Sequence, residues 1–158
     1  MAKEAQGFGM QYAALPFRIG SDGLRVLLIT SRETRRWVIP KGWPMRGLKP
    51  REVAAREALE EVGLVGRIAN KRPIGSYHYN KRLPAGRERL CCVKVFLLSV
   101  DHQVDIWRER GQREWRWVEP LKAAQMVDEG GLAEILRYAF PSVRRPGPKQ
   151  MKRRRLPR

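Results

Sequence analysis

Short apolar runs, most of them strand-like, recur along the chain, and one stretch between residues 50 and 64 carries a clear helical period. Residues 24–30, LRVLLIT, follow the turn Ser21-Asp22-Gly23 and predict a central strand. Residues 11–19 predict a strand before that turn, and residues 37–39 a short one stopped by Pro40. A Gly- and Pro-rich loop over residues 41–47 follows. Pro50 suits the first position of a helix that Gly63 ends. Beyond it, residues 65–79 and 90–100 read as strands joined by a turn around Pro84-Ala85-Gly86, and residues 114–118 as a short strand. Residues 120–127 and 132–138 read as helices. Strands on both sides of one strong helix imply a mixed α/β (α+β) domain.

On a wheel, Ala55, Ala58, Leu59 and Val62 make one apolar face of the strong helix, and Glu57, Glu60 and Glu61 gather on another. Glu57 and Glu61 are four apart, a spacing at which like charges repel. Glu60 has Arg56 one turn back, but neither of the other two has a basic residue one turn away. One reading is a solvated acidic face. The other is a divalent-cation site, since Mg²⁺ takes oxygen ligands and leaves positions for water and substrate phosphates.

Charge sharpens the choice. The chain has 158 residues, with 33 Lys and Arg against 16 Asp and Glu, for a net +17. Residues 142–158 hold eight of the basic residues and no acid, together with Pro146, Pro148 and Pro157. They are expected to form a disordered basic tail, either solvated or in contact with a polyanion such as RNA. The remainder is still net positive, so phosphorylated ligands are the expected partners. The expected organisation is a short N-terminal segment (residues 1–9), one domain over residues 10–141 and the tail. The longest clean apolar runs, Val26 to Ile29 and Val95 to Leu98, are far short of the roughly 20 residues of a membrane span. Met1-Ala2-Lys3-Glu4 lacks the apolar core of a secretory signal, and the adjacent Cys91 and Cys92 make neither a disulfide framework nor a zinc site. A cytoplasmic protein without membrane partners is expected.

The stretch Gly42-x5-Leu48-x7-Arg56-Glu57-Ala58-Leu59-Glu60-Glu61-Val62-Gly63-Leu64 resembles the Nudix box, G-x5-E-x7-R-E-U-x-E-E-x-G-U with U apolar. Every defined position matches except Leu48, which stands where the first Glu is expected. Ser31-Arg32, the run Trp37-Val38-Ile39-Pro40-Lys41-Gly42-Trp43 and Arg113-Glu114-Trp115 look like the branch of that family that hydrolyses diphosphoinositol and diadenosine polyphosphates. The resemblance covers roughly residues 10–140. It implies a mixed β-sheet sandwiched between helices, and a hydrolase of phosphoric anhydrides that uses Mg²⁺ or Mn²⁺. It implies Glu57, Glu61 and Glu60 as metal ligands, Glu60 also as the catalytic base, and Arg56 as the catalytic group that orients them. Gly42 would lie against the metal site. Ser31, Arg32, Lys41, Gly42, Arg89 and Arg113 are the implied substrate contacts, with Glu114 as an extra carboxylate. Glu52 projects away from the acidic face and is a poor substitute for the missing Glu. The basic residues before the box, with Lys81, Arg82, Arg87 and Arg89 at the later turn, favour a highly phosphorylated small molecule. An RNA 5′-pyrophosphate is the alternative substrate, and a noncatalytic RNA-binding protein on the same scaffold is the alternative function.

Overall fold

A computed structural model describes residues 9–140; the expectations for the N-terminal segment and the basic tail lie outside the described residues, apart from Gly9. The strands are β1 (Gly9–Gly20), β2 (Gly23–Thr30), β3 (Trp37–Val38), β4 (Lys41–Gly42), β5 (Leu64–Ile68), β6 (Gly75–Arg82), β7 (Glu88–Gln103) and β8 (Trp115–Val118). The helices are α1 (Pro50–Val62), α2 (Pro120–Met126) and α3 (Gly130–Tyr138). A single mixed sheet runs β3-β2-β1-β7-β5, with β4 added on β1, β6 on β7 and β8 on β2. β1 and β7 are parallel, and the other pairings are antiparallel.

The alternation of strand side chains divides the core between the two faces of this sheet. Ala13, Leu15, Val26, Leu28, Val93 and Val95 pack with Ala123, Leu132 and Leu136 of α2 and α3. Their neighbours Ala14, Leu27, Ile29, Phe96 and Leu98 pack with Ala54, Ala58 and Val62 of α1. Burial on both sides explains why β2 reads as an unbroken apolar run and not as an alternating one. The expected sandwich of a mixed sheet between helices is the observed architecture.

Three details differ from the sequence reading. Residues 65–79 are not one strand: β5 and β6 both lie antiparallel on β7, and the segment holding Asn70 and Pro73 separates them. Lys41-Gly42, expected as loop, forms the two-residue β4, with Gly42 opposite Tyr12 and Lys41 opposite Ala13. The buried face of α1 is Val53, Ala54, Ala58, Glu61 and Val62, while Leu59 is 37% exposed. The helix is thus rotated from the expected face, because it turns one carboxylate inward.

Gly63 ends α1 in the left-handed region at φ 71°, its N–H donating to the Leu59 carbonyl at 2.9 Å. A Cβ there would run into the Trp107 ring. Gly63→Ala is therefore expected to cost about 1–3 kcal/mol, combining left-handed strain with displacement of that ring. Chemical denaturation measures it, and an unchanged midpoint would contradict the assignment.

Candidate active site

A cleft of about 560 Å³ opens where α1, β4, the β2–β3 loop, β6 and the segment after β7 meet. One side is acidic. Glu57, Glu60 and Glu61 of α1 line it, together with Glu109 from the segment between β7 and β8. Glu61 is 7% exposed, and its carboxyl group is close enough to that of Glu57 to share a proton. Burial, reinforced by Glu57, holds the Glu61 pKa well above the usual carboxylate value. Burial also raises Glu57, with Glu60 and Glu109 adding to the effect, although the hydrogen bond with Glu61 opposes it.

Gly42 explains how the helix comes so close to β4. A Cβ at this position would overlap the Glu57 carboxylate, so the cradle beside that group exists only for glycine. Among the described residues no three His, Cys, Asp or Glu groups converge so as to hold a metal ion by themselves. The donor set nevertheless fits Mg²⁺, which is commonly held by one or two carboxylates and completes its shell with water and substrate phosphate. Glu57 and Glu61 supply two carboxylates in contact. Glu60 lies alongside, 3.9 Å from Arg56 Nη1 and 3.8 Å from Arg108 Nη1.

Burial of these two carboxyl groups makes the metal-free domain pH-sensitive. Both folded-state pKa values lie above those of an unfolded carboxylate, so the folded state binds more protons in that window. Its stability should fall as pH rises from the ordinary carboxylate range through the raised values. Glu57→Gln should flatten that slope in chelator-treated protein. Equal slopes for the two proteins, from thermal melts across pH, would contradict the coupling.

Cations line the cleft as well, among them Arg32, Arg36, Lys41, Lys81 and Arg82. Burial lowers the Lys41 pKa to about 8, against the opposing pull of Glu61 and Glu129. Its ammonium lies 4.9 Å from the Tyr79 ring centroid and has no ion-pair partner among the described residues. Arg36, by contrast, is bound to Glu129 at 2.8 Å.

Of the residues implied by the sequence, Glu57, Glu60, Glu61, Ser31, Arg32, Lys41, Gly42 and Arg113 line the cleft. Arg56 makes one ion pair among the described residues, with Glu60 at 3.9 Å, and is 48% exposed. Arg89 lies outside the lining, its guanidinium 5.5 Å from the Trp43 ring centroid. Glu114, the residue before β8, also lies outside, its side chain 66% exposed and paired with Arg35 at 3.3 Å. The carboxylate that the segment after β7 does bring into the cleft is Glu109, which the sequence reading missed. Its one signal was an acid four residues before Arg113, in a segment without periodicity. Leu48 does not line the cleft.

The fold and this acidic helix define a family. The NUDIX domain profile matches residues 11–139, and the chain belongs to the Nudix family. Nudix hydrolase 13, mitochondrial, of Arabidopsis thaliana is 32% identical over 124 residues, covering 72% of this chain and 60% of the relative. Diphosphoinositol polyphosphate phosphohydrolase 3-beta of Bos taurus is 29% identical, covering 73% of this chain and 68% of the relative. Against Nudix hydrolase 12, mitochondrial, of Arabidopsis thaliana the match spans 52% of the relative's length. Among solved structures, the C. elegans Ap4A hydrolase superposes with a TM-score of 0.61 at 20% identity, covering 86% of this chain and 100% of that one. The NUDIX domain of Shewanella oneidensis NrtR, complexed with ADP ribose, gives 0.64 at 15% identity, covering 89% and 92%. At these identities the structures establish the shared fold. Among the described residues no helix is long and apolar enough to cross a membrane.

Proposed function

We propose that the chain hydrolyses a phosphoric anhydride in a highly phosphorylated small molecule, of the diadenosine polyphosphate or diphosphoinositol polyphosphate kind, with Mg²⁺ or Mn²⁺ as cofactor. The observation that carries this reading is the cleft itself. It gathers two contacting carboxylates, Glu57 and Glu61, in one cleft with Lys41 and further cations. An acidic face alone would repel a polyphosphate, and a basic wall alone would bind one without cleaving it. A cation held there would offset the phosphate charge and polarise the bridging bond.

The chain's own residues then have distinct tasks. Glu57 and Glu61 would hold the cation. Lys41, Lys81, Arg82 and Arg32 bind the phosphates flanking the bond to be broken. Glu60, steadied between Arg56 and Arg108, takes the proton of the attacking water. Water oxygen bonds to phosphorus, the bridging P–O bond breaks, and its electron pair leaves with the departing phosphate. The names of the curated relatives support this class of substrate, and the excess of cations on the wall favours several phosphates over a nucleotide sugar.

A substrate panel tests the reading: diadenosine polyphosphates, a diphosphoinositol polyphosphate, a nucleotide sugar and 5′-triphosphorylated RNA, each with and without Mg²⁺. Metal-dependent turnover should be fastest on one of the first two. Fastest turnover of the nucleotide sugar or the RNA would overturn the proposed class.

A further inference from the structure

The segment between β7 and β8 is tied to the end of α1 as a strap. Gln103 Nε2 donates to the Val62 carbonyl at 3.0 Å, Val104 N–H to Gly63 at 2.8 Å, and Glu109 N–H to Glu60 at 3.0 Å. These bonds satisfy carbonyls that the helix terminus leaves open. At its far end the strap is fixed to β2, where Glu114 N–H donates to Thr30 Oγ1 at 2.9 Å. Arg113 stands between the two anchors.

All three guanidinium nitrogens of Arg113 face protein acceptors. Nε donates to Glu109 Oε1 at 2.9 Å, Nη1 donates to the Thr30 carbonyl at 3.0 Å, and Nη2 lies 3.8 Å from Glu61 Oε1. The side chain is 10% exposed. Two of its five N–H groups are held in hydrogen bonds, a third edge is paired with Glu61, and burial leaves little of the side chain open to a phosphate. It is also the buried guanidinium beside the contacting carboxylates, whereas Arg56 is half exposed and touches only Glu60. We propose that Arg113 is a positioning residue that carries the strap's hold to Glu61, fixing that carboxylate beside Glu57 for the cation, and that it makes no substrate contact. The proposal deepens the reading of the cleft as a metal-dependent hydrolase site, and rests on it.

A guanidinium near a metal site also repels the metal, so the sign of its effect is informative. If Arg113 were only a competing charge, its removal would tighten metal binding. If it positions Glu61, removal loosens that carboxylate and weakens binding, by about 10- to 100-fold on the scale of outer-shell partners. The test measures Mn²⁺ binding to the full chain by calorimetry without substrate, then steady-state kinetics, for wild type, Arg113→Gln, Arg113→Lys and the remote surface control Arg137→Gln. The expected result is Mn²⁺ affinity reduced about 10- to 100-fold in Arg113→Gln and less in Arg113→Lys, with KM for the phosphorylated substrate unchanged. Unchanged or tighter Mn²⁺ binding, or a raised KM at saturating metal, would overturn the proposal. Should Arg113→Gln fail to fold, Arg113→Lys decides, and wild-type Mn²⁺ affinity in that variant overturns it. A wild-type protein that binds no Mn²⁺ removes the metal-site reading itself, and this inference with it.

Discussion

Gly42→Ala is expected to abolish most turnover while leaving the domain folded. The added Cβ would overlap the end of the Glu57 side chain, a flexible group that can swing away, and not a fixed backbone atom. The structural cost is therefore modest. The functional cost is not, because Glu57 leaves its place beside Glu61, and a misplacement of about 1 Å can lower a rate roughly 100-fold. A fall of about two orders of magnitude, with a melting temperature near that of wild type, is the predicted combination. Near-normal turnover would show that the close approach of β4 and α1 is packing without catalytic consequence.

The second large effect separates the two roles on the acidic face. Glu60→Gln keeps the helix and almost the same volume, and should lower turnover by roughly 10² to 10⁴, the usual contribution of a general base. Glu57→Gln should instead raise the Mg²⁺ concentration needed for half-maximal rate, since an anionic oxygen ligand is lost. It should also stabilise the metal-free protein at pH above the carboxylate range, where burial disfavours the ionised Glu57. Glu52→Gln is the control: Glu52 Oε1 accepts the Lys49 N–H at 2.8 Å at the start of α1, away from the cleft, and an amide oxygen can do the same. If Glu60→Gln and Glu57→Gln give the same metal dependence and the same rate loss, the division of labour between them is wrong.

The limits of α1 are legible in the amino-acid sequence, because Pro50 and Gly63 act locally, one through its missing N–H and the other through its left-handed conformation. The spacing of Glu57, Glu60 and Glu61 is legible for the same reason. Which way they point is not. A wheel ranks residues by polarity and turns Glu61 outward, whereas here its carboxylate is buried beside Arg113. Nor can spacing join Arg113 to Glu61 or Thr30, since those contacts are made by the path of a strap without period. β4 escapes notice because two residues, one of them glycine, carry no alternation; only their pairing with β1 makes them a strand. Short strands and strap contacts depend on tertiary pairing, and local pattern carries little of it.

The most direct measurement is the rate of anhydride hydrolysis against Mg²⁺ concentration, for wild type and Glu57→Gln, on diadenosine tetraphosphate and on a diphosphoinositol polyphosphate. The account predicts hydrolysis of at least one of them by the wild type that is absent with chelator and saturates with Mg²⁺. In Glu57→Gln the same curve should shift to higher Mg²⁺. Hydrolysis of neither compound, or curves that coincide for the two proteins, would contradict it.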